Sequence, residues 1–176
     1  MDKRELIGLL QHNHRAFIQD LSNHTDQEFC YAPEGKWSAA LQLDHLIKSV
    51  APVNMAMGLP PFLLQWLFGV SNRPSRTYEE LVEKYHRKLG EGGKASGRFI
   101  PKVIRAHQKK PLLRKLERLV NRLCQRTEKF DEKSLDTYLL PHPLLGKLTL
   151  REMLYFTAYH AEHHQELVKK GFAGYH

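Results

Sequence analysis

Cysteine is scarce in this sequence, and long apolar runs are absent. Cys30 and Cys124 are the two cysteines among 176 residues, too few for a disulfide-rich scaffold and typical of a reducing compartment. The charged opening segment, residues 1–5, lacks an apolar signal core, so we expect no secretory leader and a cytoplasmic location. The longest apolar run, residues 58–70, contains two prolines and is shorter than the ~20 residues that a membrane helix needs, so we expect no membrane span.

The composition excludes a disordered tail protein and a fibrous repeat. Apolar residues make up 41% of the chain and charged residues 26%, as in ordinary globular proteins. At roughly 150 residues per domain, a chain of 176 residues corresponds to one domain. We therefore predict a single domain over residues 1–176.

Acidic residues are few in the middle of the chain. Residues 71–130 contain 17 Lys and Arg against 6 Asp and Glu, a net charge of +11, whereas the rest of the chain has a net charge of −3. Such a region is either a solvated face with a flexible loop or a binding face for an anionic ligand or nucleic acid. Neither zinc-finger spacing nor an aromatic strip accompanies it, which disfavours nucleic acid as the partner.

Strand-like alternation does not persist anywhere, and helical periodicity dominates. Ser38 and the capping-box sequences Thr77–Glu80 and Thr149–Glu152 are helix-start signals. Residues 140–146 are interpreted as a turn. These patterns predict an all-α fold, most economically a four-helix bundle. The predicted helices span residues 3–21, 38–51, 78–90, 111–129 and 150–170, with the second ending before Pro52 and the last ending at Gly171.

Two further patterns lie outside the bundle prediction. Arg114, Arg118, Arg122 and Arg126 recur every four residues opposite the apolar face of their helix, as a solvated face or an anion-binding face would. The apolar segment 58–70 is interpreted as an insertion packed on the bundle, with a pocket lid or a homodimer contact as the alternatives.

Eleven histidines are an unusual number for this length, and three of them follow each other closely on the last helix. The helical period places His164 in the apolar stripe and His160 at its edge, one turn away. His163 falls toward the polar side. An i, i+4 histidine pair can chelate one metal ion because both rings reach the same point. The pair can equally be two hydrogen-bonded core residues, and a tight metal site needs a third ligand.

His45 is the candidate for this third ligand. Periodicity does not decide its role, because it lies nearly opposite the strongest apolar stripe of its helix. The side on which it lies carries few charges, so the helix is expected to be buried on two faces.

Two sequence elements resemble the DinB/YfiT-like family. The first is Gly35-Lys36-Trp37-Ser38 with His45 eight positions after the tryptophan, and the second is residues 142–149 running into His160-Ala161-Glu162-His163-His164. The resemblance implies an up-down-down-up four-helix bundle in which three histidines hold one divalent metal ion. In this chain, an extra helical insertion would then separate the second and third bundle helices. The metal ligands implied here are His45, His160 and His164.

The resemblance further implies a metal-dependent hydrolase or a low-molecular-weight-thiol S-transferase that acts on a small-molecule substrate. Zinc or nickel is the favoured ion, while iron and manganese also accept imidazole. Three imidazoles leave an open position on the ion, which favours a catalytic site over a structural one. The alternatives are a bundle with a purely structural metal and a non-catalytic binding module that uses the basic face. His142 is interpreted as a structural or pocket-rim residue, with general acid–base catalysis as the alternative.

Overall fold

The chain folds into a mostly helical structure with a small β-hairpin. A computed structural model describes residues 1–32 and 34–172; Pro33 and residues 173–176 lie outside the described part of the predicted domain. The described residues form eight α-helices, two short 3-10 turns and one pair of antiparallel strands. In chain order these are α1 (Lys3–Asn23), α2 (Asp26–Cys30), α3 (Ala39–Ala56), α4 (Pro61–Phe68), α5 (Tyr78–Gly90), the 3-10 turns Gly97–Phe99 and Ala106–Gln108, α6 (Lys109–Glu128), α7 (Glu132–Thr137), β1 (Leu139–His142), β2 (Gly146–Thr149) and α8 (Leu150–Phe172).

The helix starts follow the caps in the sequence. The Ser38 hydroxyl accepts a hydrogen bond from the amide of Leu41 at the start of α3. Thr77 begins α5 with a complete capping box to Glu80. Thr149 and Glu152 make the same reciprocal pair of bonds at the start of α8. These bonds satisfy amides that have no partner within the helix.

Four long helices enclose the hydrophobic core. α1 packs against α6 and α8, and α3 packs against the same two helices. The predicted apolar stripe of α1 is buried, as are the core positions of α6 and α8. On α1 these buried residues are Leu6, Leu10, Asn13, Phe17 and Leu21.

α3 is longer than predicted because it continues through Pro52. Proline lacks the amide that would bond to the carbonyl four residues earlier, so a helix often ends before it. Here hydrogen bonds with α6 stabilise the helical turn that follows Pro52. The Asn54 side chain donates to the carbonyl of Leu119 on α6 (3.1 Å), and the Arg126 guanidinium donates to Oδ1 of Asn54 (2.8 Å) and to its carbonyl.

The prediction of an all-α fold with a turn at 140–146 was wrong in one respect. β1 and β2 form an antiparallel hairpin in which Leu140 pairs with Leu148 and His142 with Gly146. Gly146 has a φ of 77°, the left-handed conformation that favours glycine. Each strand has four residues and β1 contains Pro141, so neither shows a usable alternation. The hairpin is stabilised by burial of Leu140 and Leu148.

The apolar segment after α3 contains α4, which packs through the fully buried Leu64. Phe62 and Trp66 on the same helix are 74% and 78% exposed. α8 also continues past its predicted end, because Gly171 lies within the helix, which runs to Phe172. No helix in the described ranges is long and apolar enough to cross a membrane.

A buried ion cluster joins the segment before α5 to the start of α8. The fully buried carboxylate of Glu152 accepts two bonds from the Arg73 guanidinium (2.7 and 2.8 Å) and one from Arg76 (3.0 Å). Burial alone would raise the pKa of Glu152, but the bonds from Arg73, Arg76 and Thr149 lower it to about 2. Part of the basic region is therefore used for internal pairing.

Candidate metal centre

Three histidine rings from two helices meet at one point inside the protein. His45 lies on α3, and His160 and His164 lie one turn apart on α8; all three are buried. Nε2 of His160 is 2.8 Å from Nε2 of His164 and 3.3 Å from Nε2 of His45. The ligand atoms of the three residues lie within 4.8 Å of one another.

Hydrogen bonds on the outer ring nitrogens fix the orientation of two of these imidazoles. Nδ1 of His45 donates to the carbonyl of Phe99 (2.7 Å), and Nδ1 of His164 donates to the side-chain oxygen of Gln42. Both partners are acceptors, so Nδ1 carries the proton in each neutral ring and Nε2 presents its lone pair toward the cluster. Such outer partners are typical of metal-ligating histidines.

This donor set fits a cation better than it fits hydrogen bonding alone. Two inward lone pairs, on His45 and His164, face the same nitrogen of His160. A single N–H on that nitrogen can serve only one of them. A divalent ion attracts all three lone pairs, and three imidazoles are a suitable ligand set for it. The residues present therefore fit a bound divalent metal ion.

The surroundings keep the three imidazoles neutral. Burial, together with the charges of the neighbouring histidines, lowers the pKa of His160 and of His164 well below the usual value. Burial also lowers the pKa of His45, although the bond to Phe99 opposes this effect. A neutral imidazole is the form that binds a metal, so these rings are ready to bind at neutral pH.

Trp37 covers the cluster from the side of the α3 N-terminus. Its ring is 5.2 Å from the ring of His45 and lies nearly parallel to that of His164, with a centroid distance of 6.4 Å. Trp37 therefore shields the histidines on this side.

His163, which the helical period places toward the polar side, is not part of the three-histidine cluster, although its ring lies 5.3 Å from that of His164. It is half-buried and packs edge-on against Tyr85 at 5.4 Å, close to His86. Burial and the charge of His86 lower the pKa of His163 to about 4. Its position beside two cluster members makes it a matched control for them.

A mostly apolar cavity of about 480 Å³ opens beside the cluster. This volume is within the roughly 300–1,000 Å³ that small-molecule sites occupy. His45 and His160 form part of its wall, so a molecule in the cavity reaches the histidine cluster. The other walls come from α3, α4, α5, the hairpin, α8 and a strap formed by residues 94–99. α4 contributes Leu67 and Phe68, so the apolar insertion lines the pocket as well as packing on the bundle.

His142 lines the same cavity, in agreement with the predicted rim position. Its Nδ1 accepts hydrogen bonds from the amides of Leu144 (3.1 Å) and Leu145 (3.0 Å). The ring proton must therefore be on Nε2. Burial and the charge of Lys84 lower the pKa of His142 to about 4. His142 is thus a neutral hydrogen-bond donor, and its lone pair is not free to act as a general base.

Sequence reasoning missed Gln42 and Phe99, which orient the histidine rings. Gln42 precedes His45 by three positions, so a helical wheel places both on one side of α3, a signal that was available. Phe99 contributes its backbone carbonyl from a loop. Every residue type has this group, so the residue type does not indicate the role. Asp44, next to His45 in the sequence, binds Lys48 (2.6 Å) and the amide of Lys102.

The four arginines that recur every four residues on α6 lie in different environments. Arg114, Arg118 and Arg122 are exposed, whereas Arg126 is half-buried and bonded to Asn54. The fourth arginine therefore has a structural role that the four-residue spacing did not indicate.

Comparison with known proteins identifies the family of the chain. No curated protein and no solved structure was found to match the chain. The family model described as the DinB superfamily matches residues 9–168, which include all three clustered histidines, Gln42 and the residues of the cavity wall. This match covers most of the sequence, and the chain belongs to the DinB superfamily.

Proposed function

We propose that this protein is a metal-dependent enzyme in which His45, His160 and His164 hold one divalent ion. The observation that supports the proposal is the convergence of three histidines, two of which, His45 and His160, line an apolar cavity. A purely structural site would be expected to have a fourth protein ligand and no adjoining cavity. Zinc or nickel is the proposed ion, with iron and manganese as further candidates.

A divalent ion held by three imidazoles would act as a Lewis acid and lower the pKa of a bound water or thiol. The chain's own residues favour thiol transfer over hydrolysis. The described lining of the cavity contains no Asp or Glu that would act as a general base on water, and His142 has no free lone pair. A low-molecular-weight thiol, by contrast, needs only to lose its proton to become a strong nucleophile.

In the proposed reaction, the whole thiol is attached through its sulfur to an electrophilic carbon of the substrate. The sulfur forms a bond to the carbon, the leaving group departs with its electron pair, and the thiol proton passes to solvent. The apolar walls, including Phe156 and Phe99, would hold the electrophile and exclude water from it. The N–H of His142 would orient a polar atom of the substrate.

An activity assay on metal-loaded protein tests this proposal. The protein would be incubated with cysteine or glutathione and 1-chloro-2,4-dinitrobenzene, and in parallel with an activated ester but no thiol. Metal-dependent conjugation that His160→Ala abolishes and His163→Ala retains is the expected result. Ester hydrolysis without conjugation would indicate the hydrolase, and no metal-dependent turnover of either substrate would contradict the proposal.

We also infer a single domain with the up-down-down-up order of its four long helices. Tyr155 bonds to the carbonyl of Met1 and Asn13 bonds to that of Ala158, as expected for parallel α1 and α8. Lys3 reaches the C-terminus of α6 and Lys109 reaches that of α1, as expected for antiparallel helices. The pairs Gln42–His164 and His45–His160 have the antiparallel order on α3 and α8. The scarcity of cysteine supports a cytoplasmic location, and the homodimer stays a prediction.

A further inference from the structure

The cavity beside the histidines has an uneven distribution of charge. Two cationic residues, Lys94 and Arg98, belong to its lining, and the described lining contains no Asp or Glu. Both cations lie on the strap and are exposed, so the charge is at the mouth. The Arg98 guanidinium is 5.1 Å from the centre of the Phe99 ring, which is itself part of the wall.

Within the described part of the chain, neither Lys94 nor Arg98 takes part in a hydrogen bond or ion pair, so neither charge is neutralised by an acidic group. Two other polar groups of the lining are already used. The Ser49 hydroxyl donates to the carbonyl of His45, and Nδ1 of His142 accepts two amide bonds. The available charge for a ligand is therefore positive and lies at the mouth.

The interior between this mouth and the histidines is apolar. It is formed by side chains from α3, α4, the hairpin and α8, which remove apolar ligand surface from water. The residues that form it include Val53, Ala56, Leu67, Phe68, Leu140, Met153 and Phe156.

We propose that the cavity binds an amphipathic acid, a molecule with an apolar body and one anionic group. The anionic group lies at Lys94 and Arg98, and the apolar body extends inward toward His45 and His160. This inference rests on the proposed function and names the ligand class of the same site. A cationic amphiphile would be repelled by the two positive charges at the mouth. A neutral amphiphile would form no ion pair with them.

A different placement of the same ligand has to be distinguished. A carboxylate is also a metal ligand, so an acid could enter head first and bind at the histidine cluster. In that case its affinity would depend on the metal and not on the strap. The two placements therefore predict opposite responses to chelation and to neutralisation of Lys94 and Arg98.

Calorimetric titration with three ten-carbon probes tests the proposal: decanoate, 1-decanol and decyltrimethylammonium. Decanoate is expected to bind about tenfold more tightly than the other two probes, with an affinity that falls as NaCl is added. The double variant Lys94→Gln/Arg98→Gln should weaken decanoate by about fivefold to tenfold and leave 1-decanol unchanged. Arg114→Gln/Arg118→Gln, on the exposed face of α6, is the matched control and should change neither affinity.

Two further measurements locate the ligand in the cavity. Ala56→Trp, which fills the apolar wall, should weaken both decanoate and 1-decanol while the metal content stays the same. Equal affinities for the three probes, or a decanoate affinity that falls on chelation but not in the Lys94/Arg98 variant, would overturn the inference. Metal content measured on each sample separates the outcomes, because full metal occupancy without charge selectivity contradicts this inference and leaves the proposed function standing.

Discussion

Nδ1 of His164 on α8 donates a hydrogen bond to the side-chain oxygen of Gln42 on α3. This bond links the helix that provides two of the clustered histidines to the helix that provides the third. It also holds the His164 ring with its Nε2 lone pair toward the cluster. In the proposed metal site, Gln42 would therefore act through His164 and not as a ligand.

Removal of this acceptor should weaken metal binding. We expect Gln42→Leu to lower the affinity for Zn²⁺ about 10- to 100-fold, as is usual when the outer partner of a ligating histidine is lost. Gln42→Glu keeps an acceptor and should retain the affinity within a few-fold. The measurement is a competition titration against a chromophoric chelator. Gln11→Leu, at an exposed position of α1, is the control, and an unchanged affinity in Gln42→Leu would show that Gln42 does not position the ligand.

The backbone directly before the strap should be sensitive to a methyl group at Gly93. A Cβ there would lie 2.6 Å from the carbonyl oxygen of Lys88 and 2.6 Å from a methyl carbon of Leu144. We expect Gly93→Ala to lower the free energy of unfolding by about 1–3 kcal/mol because the backbone has to shift. Gly90, at the end of α5, has open space around its Cβ position. Gly90→Ala should be neutral or stabilising by up to about 1 kcal/mol, and equal effects of the two changes in urea unfolding would contradict the expectation.

The buried carboxylate of Glu152 should make stability depend on acid pH. Its pKa is lowered to about 2 in the folded protein, so its stabilising contribution is present above the ordinary value near 4.5 and is lost as the pH falls toward 2. At pH 7, Glu152→Gln should lower the free energy of unfolding by roughly 2 kcal/mol, a figure discounted because Arg73 and Arg76 are partly exposed. The difference between wild type and variant should shrink by about half at pH 3.

Urea unfolding at pH 7, 5 and 3 gives this comparison. Glu117→Gln, on the exposed face of α6, is the control and should show no difference that depends on pH. A gap between wild type and Glu152→Gln that stays constant from pH 7 to pH 3 would mean that the ion cluster does not stabilise the fold through ionised Glu152.

The longer helices were predictable because their signals are local, whereas the short helices α2 and α7 were not predicted. The capping boxes at Thr77 and Thr149 and the apolar stripes determine where α5 and α8 begin and which faces are buried. The hairpin and the continuation of α3 past Pro52 were not, because both depend on contacts with distant segments. Asn54 has to meet α6 before the turn after the proline is held.

The site was predictable in its ligand types and only partly in its surroundings. The His160–His164 spacing places two rings on one face of α8, whereas His45 lies off the main stripe of α3 and needed the family pattern. Its burial follows from contacts with Phe99 and with His160 and His164 on α8, which no single-helix pattern shows. The carbonyl of Phe99 and the cations of the strap belong to a loop whose position against α3 depends on tertiary contacts.

The central claim is that three histidines bind one divalent ion, and metal analysis of untagged protein tests it most directly. We predict about one divalent ion per chain, Zn²⁺ or Ni²⁺, in the wild type and in His163→Ala, as expected for a single three-imidazole site. His160→Ala and His164→Ala, with helicity checked by circular dichroism, should lose the ion. Substoichiometric metal that neither variant changes would contradict the account.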